Sequence, residues 1–260
     1  MKGLWGLILF VATLPGSASA QTHTAIIPLS PDGEPGVGLT GEGNSRSHTF
    51  FRSDGNERVA VWESDGGAPG PSYTLEYTEF VYVLEGSLML TDARGRKETF
   101  RPGDAVLLPR GTEVTWEQDE RMREYYVIFD VEESDEESSA DGEPPTFIRL
   151  DPNGGADGLT GEGLTKSHTY FLGPNRSSVG VWETAPQTDS EFFTPPFSEV
   201  MIFLSGTVTM TQPDGSEHTF GAGDAVLVPK GATHKWSSDT LRKFWITFDQ
   251  EPRSETSAQR

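Results

Sequence analysis

GDAVLLPRGTEVTW, residues 103–116, returns as GDAVLVPKGATHKW, residues 223–236. The Gly, Asp, Pro and Trp positions persist, whereas Val114 of the first copy gives way to His234 in the second. Working outward, LTGEGNSRSHT (39–49) recurs as LTGEGLTKSHT (159–169), identical at eight of eleven positions. The same offset of 120 carries Trp62-Glu63 to Trp182-Glu183, Glu79 to Glu199, Gly86 to Gly206, and Trp116 to Trp236. It slips to 119 at Phe129-Asp130 and Phe248-Asp249. A solenoid needs several short repeats, so a two-copy period of this length means two homologous domains. They are expected over 21–130 and 147–250.

The remaining segments read differently. MKGLWGLILFVATLPGSASA places one lysine before an apolar run of 11 positions, Leu4 to Leu14, then a small-residue site ending at Ala20. This is the pattern of a secretory signal peptide over 1–20, and it is shorter than the ~20 residues needed to span a bilayer. A periplasmic or secreted location is therefore expected, with no membrane attachment after cleavage. EESDEESSADGEPP, 132–145, has seven acidic residues and little to bury, which makes 131–146 a solvated acidic linker. The tail 251–260 reads as disordered.

The chain has 40 acidic and 20 basic residues, a formal charge of −20. Such a surface repels phosphate backbones and anionic lipid, which argues against a nucleic-acid partner. Cysteine is absent, so disulfides and thiolate metal sites are excluded. Any metal must be held by histidine, carboxylate, amide or water.

Both halves consist of short runs rich in Val, Phe, Tyr, Ile and Thr, separated by turn residues such as DARG (92–95) and QPDG (212–215). No sustained helical period occurs in the mature chain, so the fold class is all-β. In EVMIFLSG, Met201 and Phe203 make one face apolar, and Val200, Ile202 and Leu204 the other. A strand apolar on both faces packs against a second sheet, from the sister domain or from a second subunit in a homodimer.

In each half a Glu stands seven residues before a Gly (Glu79 and Gly86, Glu199 and Gly206), and a Gly-Asp-x4-Pro-x-Gly turn follows. These two motifs, in order and twice over, resemble those of the cupin superfamily. The resemblance implies two tandem cupin barrels of the jelly-roll, double-stranded β-helix type. VAVWES, VGVWET and EFVYVLEGSLMLTDARG are further similar to the subfamily typified by (S)-ureidoglycine aminohydrolase. Asp104 and Asp224 fall where a turn carboxylate accepts backbone N–H groups.

Metal-binding cupins supply two His two residues apart, the Glu, and a His after the Pro-x-Gly turn. At those positions the first half has Ser72, Thr74, Glu79 and Val114, and one carboxylate cannot hold a metal. The second half has Phe192, Thr194, Glu199 and His234. The aminohydrolase subfamily implies manganese held by Glu, two His and Gln, a set this sequence does not reproduce. With Glu191 or His168 as an auxiliary donor, Glu199 and His234 would give an open site for Mn, Fe or Zn.

His234 has three readings: a metal ligand, a general base beside Glu199, or a neutral ring packed against Trp236 and hydrogen-bonded to Glu199. His48 and His168 recur within Ser-His-Thr, and repetition alone shows common descent. Trp62, Trp116, Trp182 and Trp236 suit either a planar ligand or barrel filling. FFTPPF, 192–197, would make the second mouth greasy and stiff. The expected ligand pocket comprises Trp236, Phe192, Thr194, Met201 and His168, with Glu199 and His234 as catalytic candidates. Two functions follow. One is a module binding a small polar metabolite in the C-terminal barrel; the other is a metal-dependent hydrolase or isomerase.

Overall fold

A computed structural model describes residues 25–118, 120–131, 145–173, 176–189 and 191–250. The signal-peptide and tail readings, and most of the linker, fall outside the described residues. The first repeat contains β1 (Ile27–Leu29), β2 (Ser45–Arg52), β3 (Arg58–Ser64), β4 (Tyr73–Thr74), β5 (Thr78–Glu85), β6 (Leu88–Asp92), β7 (Lys97–Phe100), β8 (Ala105–Leu108), β9 (Glu113–Glu117) and β10 (Met122–Phe129). The second repeats that order with β11 (Ile148–Leu150), β12 (Thr165–Leu172), β13 (Ser178–Thr184), β14 (Gln187–Thr188), β15 (Ser198–Ser205), β16 (Thr207–Thr211), β17 (Glu217–Gly221), β18 (Ala225–Val228), β19 (Lys235–Ser238) and β20 (Leu241–Phe248). Among the described residues the only helical segment is a 3-10 turn, Gly155–Asp157.

The turn chemistry is as the sequence dictates. The β6–β7 and β16–β17 hairpins turn at DARG and QPDG, where Gly95 and Gly215 take φ of 78° and 87°. Such left-handed backbone suits glycine. Asp104 Oδ2 accepts the Arg101 N–H at 2.8 Å, and Asp224 Oδ2 accepts that of Gly221 at 2.7 Å. Gly206 is fixed by close approach, since a Cβ there would lie 2.0 Å from the Thr240 carbonyl oxygen.

Each barrel closes a six-stranded sheet over a four-stranded one. The first pairs β11-β8-β5-β10-β3-β2 with β4-β9-β6-β7; the second pairs β1-β18-β15-β20-β13-β12 with β14-β19-β16-β17. The outermost strands are exchanged. β1, at the start of the chain, pairs antiparallel with β18 of the second repeat, Ile27 opposite Leu227, while β11 pairs with β8 of the first, Ile148 opposite Leu107.

The two six-stranded sheets pack face to face. Val59, Phe80 and Phe129 of the first repeat share one buried cluster with Val200, Ile202 and Phe244 of the second. Met201 and Phe203 point the other way, into the second barrel. The doubly apolar strand thus has its outer face covered by the sister repeat. Edge-to-face pairs Phe51–Phe248 and Phe80–Phe244 cross this interface at 6.1 and 6.5 Å.

Polar contacts cross it at matching places. Ser177 Oγ donates to Asp130 at 2.8 Å, and the Asp249 N–H donates to Glu57 Oε1 at 3.3 Å. Among the described residues the non-glycine residues with positive φ are Asn56, Asp130, Arg176 and Asp249, two per repeat at equivalent positions beside these contacts.

Candidate ligand cavity of the second barrel

β15, β18, β19 and β20 and the 191–195 segment surround a cavity of about 650 Å³, within the range of small-molecule sites. Its floor holds an ion pair that the cupin motifs do not announce. Lys243 on β20 is 5 % exposed, and its Nζ donates to Glu199 Oε1 at 2.8 Å and lies 2.8 Å from Met201 Sδ. The same ammonium sits 5.3 Å from the ring centre of Trp182 and 5.0 Å from that of Trp236. Those indoles are nearly parallel, 19° apart with centres 5.5 Å apart. Their negative faces attract the cation.

His234 lies above this floor, half-buried, with Nδ1 3.1 Å from the Ala232 carbonyl oxygen and its ring 6.3 Å edge-on to Phe193. The expected hydrogen bond from His234 to Glu199 is replaced by that of Lys243. A charge at position 243 was the available signal, because it interrupts an apolar strand and aligns with Glu124 of the first repeat.

Of the expected pocket, Trp236, Phe192 and Met201 line the cavity together with Glu199, His234 and Glu191. His168 and Thr194 are not among the lining residues. His168 sits on the edge strand β12, with its ring 4.5 Å from Tyr170. The Thr194 hydroxyl pairs with that of Thr233 at 2.7 Å. His48 likewise packs edge-on against Phe50 at 4.7 Å. Among the described residues no three His, Asp or Glu side chains are grouped to hold a metal ion. Glu199, His234 and Glu191 do not fit one either, because the Glu199 carboxylate is already taken by Lys243 Nζ at 2.8 Å and the three do not converge on one point.

The first barrel has the same frame with another interior. Glu124 takes the place of Lys243 and is 3 % exposed, and its Oε2 has no hydrogen-bond partner among the described residues. Burial, and then the neighbouring charge of Glu79, hold its carboxyl well above the ordinary range. Burial pushes Glu79 up to about 7, with Arg58 opposing. Trp62 and Trp116 now meet edge-on, 89° apart. Where His234 opens the second barrel, Val114 is fully buried.

The EutQ-like cupin domain model matches the chain twice, over residues 51–126 and 174–244. The chain belongs to the cupins. Its two copies of that domain form the two barrels, in tandem. It is similar to a protein of unknown function from Pseudomonas syringae pv. tomato, with 21 % identity and a TM-score of 0.69 over 86 % of this chain and 100 % of that one. A cupin 2 conserved barrel domain protein from Leptotrichia buccalis aligns at 12 % identity and a TM-score of 0.59, covering 81 % and 91 %. The protein Ylba of E. coli aligns at 14 % identity and 0.57, covering 92 % and 96 %. At these identities the likeness concerns the fold. A comparison with curated proteins finds no match.

Proposed function

We propose that this cupin is an exported binding module that takes a small polar molecule into its second barrel. The observation that carries the reading is the cavity itself: about 650 Å³, lined by aromatic side chains around the Lys243–Glu199 ion pair. Polar groups on an apolar wall orient a ligand, and the wall excludes water. The first barrel serves as a scaffold, its interior occupied by Leu75, Val81, Val114 and Ile128. Export rests on the first 20 residues, and N-terminal sequencing of the secreted chain should begin at Gln21.

The test is a thermal-shift screen of the mature chain against small polar metabolites. A binder at about 100 times its Kd adds roughly 2.7 kcal/mol to stability. If no compound moves the midpoint, the binding reading falls. The alternative, a metal-dependent hydrolase or isomerase related to (S)-ureidoglycine aminohydrolase, requires donors beyond Glu199 and His234. Stoichiometric manganese, iron or zinc in the purified chain, lost in both Glu199→Ala and His234→Ala, would restore it.

A further inference from the structure

The cavity wall combines two features that point to one ligand class. Asp189, Glu191 and Glu199 all line it, and Lys243 is the lining residue of opposite charge. Lys243 neutralises Glu199, so two carboxylates remain; Lys235 at the rim offsets one of them at most. An anion entering here meets net negative charge inside low-dielectric walls, where repulsion is strong. The wall is also unusually aromatic, with Trp182, Phe192, Phe193, Trp236 and Trp245. Lys243 lies on Trp182 and Trp236, and Lys235 Nζ is 5.2 Å from the centre of Phe192, which leaves Phe193 and Trp245 as the wall rings facing the remaining space. Aromatic faces with carboxylates nearby recognise weakly hydrated ammonium groups, since the ring quadrupole attracts charge without needing a hydrogen bond.

Resting on the binding reading above, we propose that the second barrel selects a small organic cation, namely an alkylated or quaternary ammonium compound. The ammonium meets Phe193 and Trp245, beyond the neutral Lys243–Glu199 pair, and Asp189 and Glu191 hold its charge at the entrance. Glu191 is exposed and Asp189 half-buried, so both can be changed without disturbing the core.

Calorimetric titration of the mature protein with choline, with its neutral isostere 3,3-dimethylbutan-1-ol, and with acetate tests the class. Choline should bind, and the alcohol at least tenfold more weakly. Acetate should give no heat. Asp189→Asn combined with Glu191→Gln should weaken choline at least fivefold, and raising the salt concentration should weaken it in the wild type. Equal binding of choline and the alcohol would overturn the proposal, as would acetate binding alone, or choline binding unchanged in the double variant. Silence of all three probes also overturns it. In each case the metabolite screen decides separately whether the barrel binds anything.

Discussion

The two barrels share a backbone plan and differ in one buried side chain, a carboxylic acid in the first and an amine in the second. In the first, Glu124 stands beside Glu79, and in the second Lys243 stands beside Glu199. The tryptophans differ with it. Around the ammonium Trp182 and Trp236 present their faces, and in the carboxyl barrel Trp62 and Trp116 are turned edge to face. Ring faces are negative, so the second pair suits the ammonium beside it. In the first barrel burial holds both carboxyls above their ordinary range. In the second the carboxylate is paired with an internal cation, and a cavity of about 650 Å³ lies beside the pair.

Exchanging that side chain should have the largest effect. Lys243→Glu removes the cation and sets a second acid beside Glu199, so stability should fall by about 3–5 kcal/mol in urea denaturation, as when a buried pair is broken. A loss below about 1 kcal/mol would mean that the pair is structurally idle. Next comes the pH response of the first barrel. The folded state keeps the Glu79 proton up to about pH 7, whereas the unfolded chain releases it near 4.5. Stability should therefore fall as pH rises across that window, by up to about 1.4 kcal/mol per unit, and level off above it. Glu79→Gln should flatten the slope; an unaltered slope would assign it to other groups.

Swapping the residue that separates open from sealed should be asymmetric. Val114→His buries a polar ring in a filled interior and should cost about 2 kcal/mol. His234→Val, at a half-buried position, should cost less than about 1 kcal/mol while reducing ligand binding. Equal costs would indicate that the first barrel is as open as the second. The smallest effect belongs to the interface, where Glu57 faces Asp249 while its counterpart Ser177 faces Asp130. Burial raises Glu57 to about 7, and the two aspartates add to the shift. Glu57→Ser should then raise stability by about 1 kcal/mol at pH 8, after allowance for its partial exposure, and leave it unchanged near pH 4. Chemical denaturation at both pH values checks this.

Much of the frame was readable because its signals are local or duplicated. DARG and QPDG marked their hairpins, Asp104 and Asp224 their turns, and the alternation in EVMIFLSG separated Met201 from Val200 before any sheet was seen. What escaped was long-range. Lys243 looks like an outward-facing residue of an apolar strand until the Glu199 carboxylate and two indoles are known to lie around it. His168 reads as an auxiliary donor to Glu199 and His234, yet it sits on the edge strand β12 and does not line the cavity. The exchange of β1 and β11 was hidden in two three-residue strands, IPL and IRL, too short for a period to register.

That exchange also sets the order in which the molecule can be finished. Ile27 is synthesised 200 residues before Leu227, its partner across the sheet. The earliest strand made must wait for one of the last, and closing so long a loop slows folding. Until β18 is made, β1 lacks its partner strand. Its pairing ties the first repeat to the second barrel, and β11 returns the tie from the second repeat to the first.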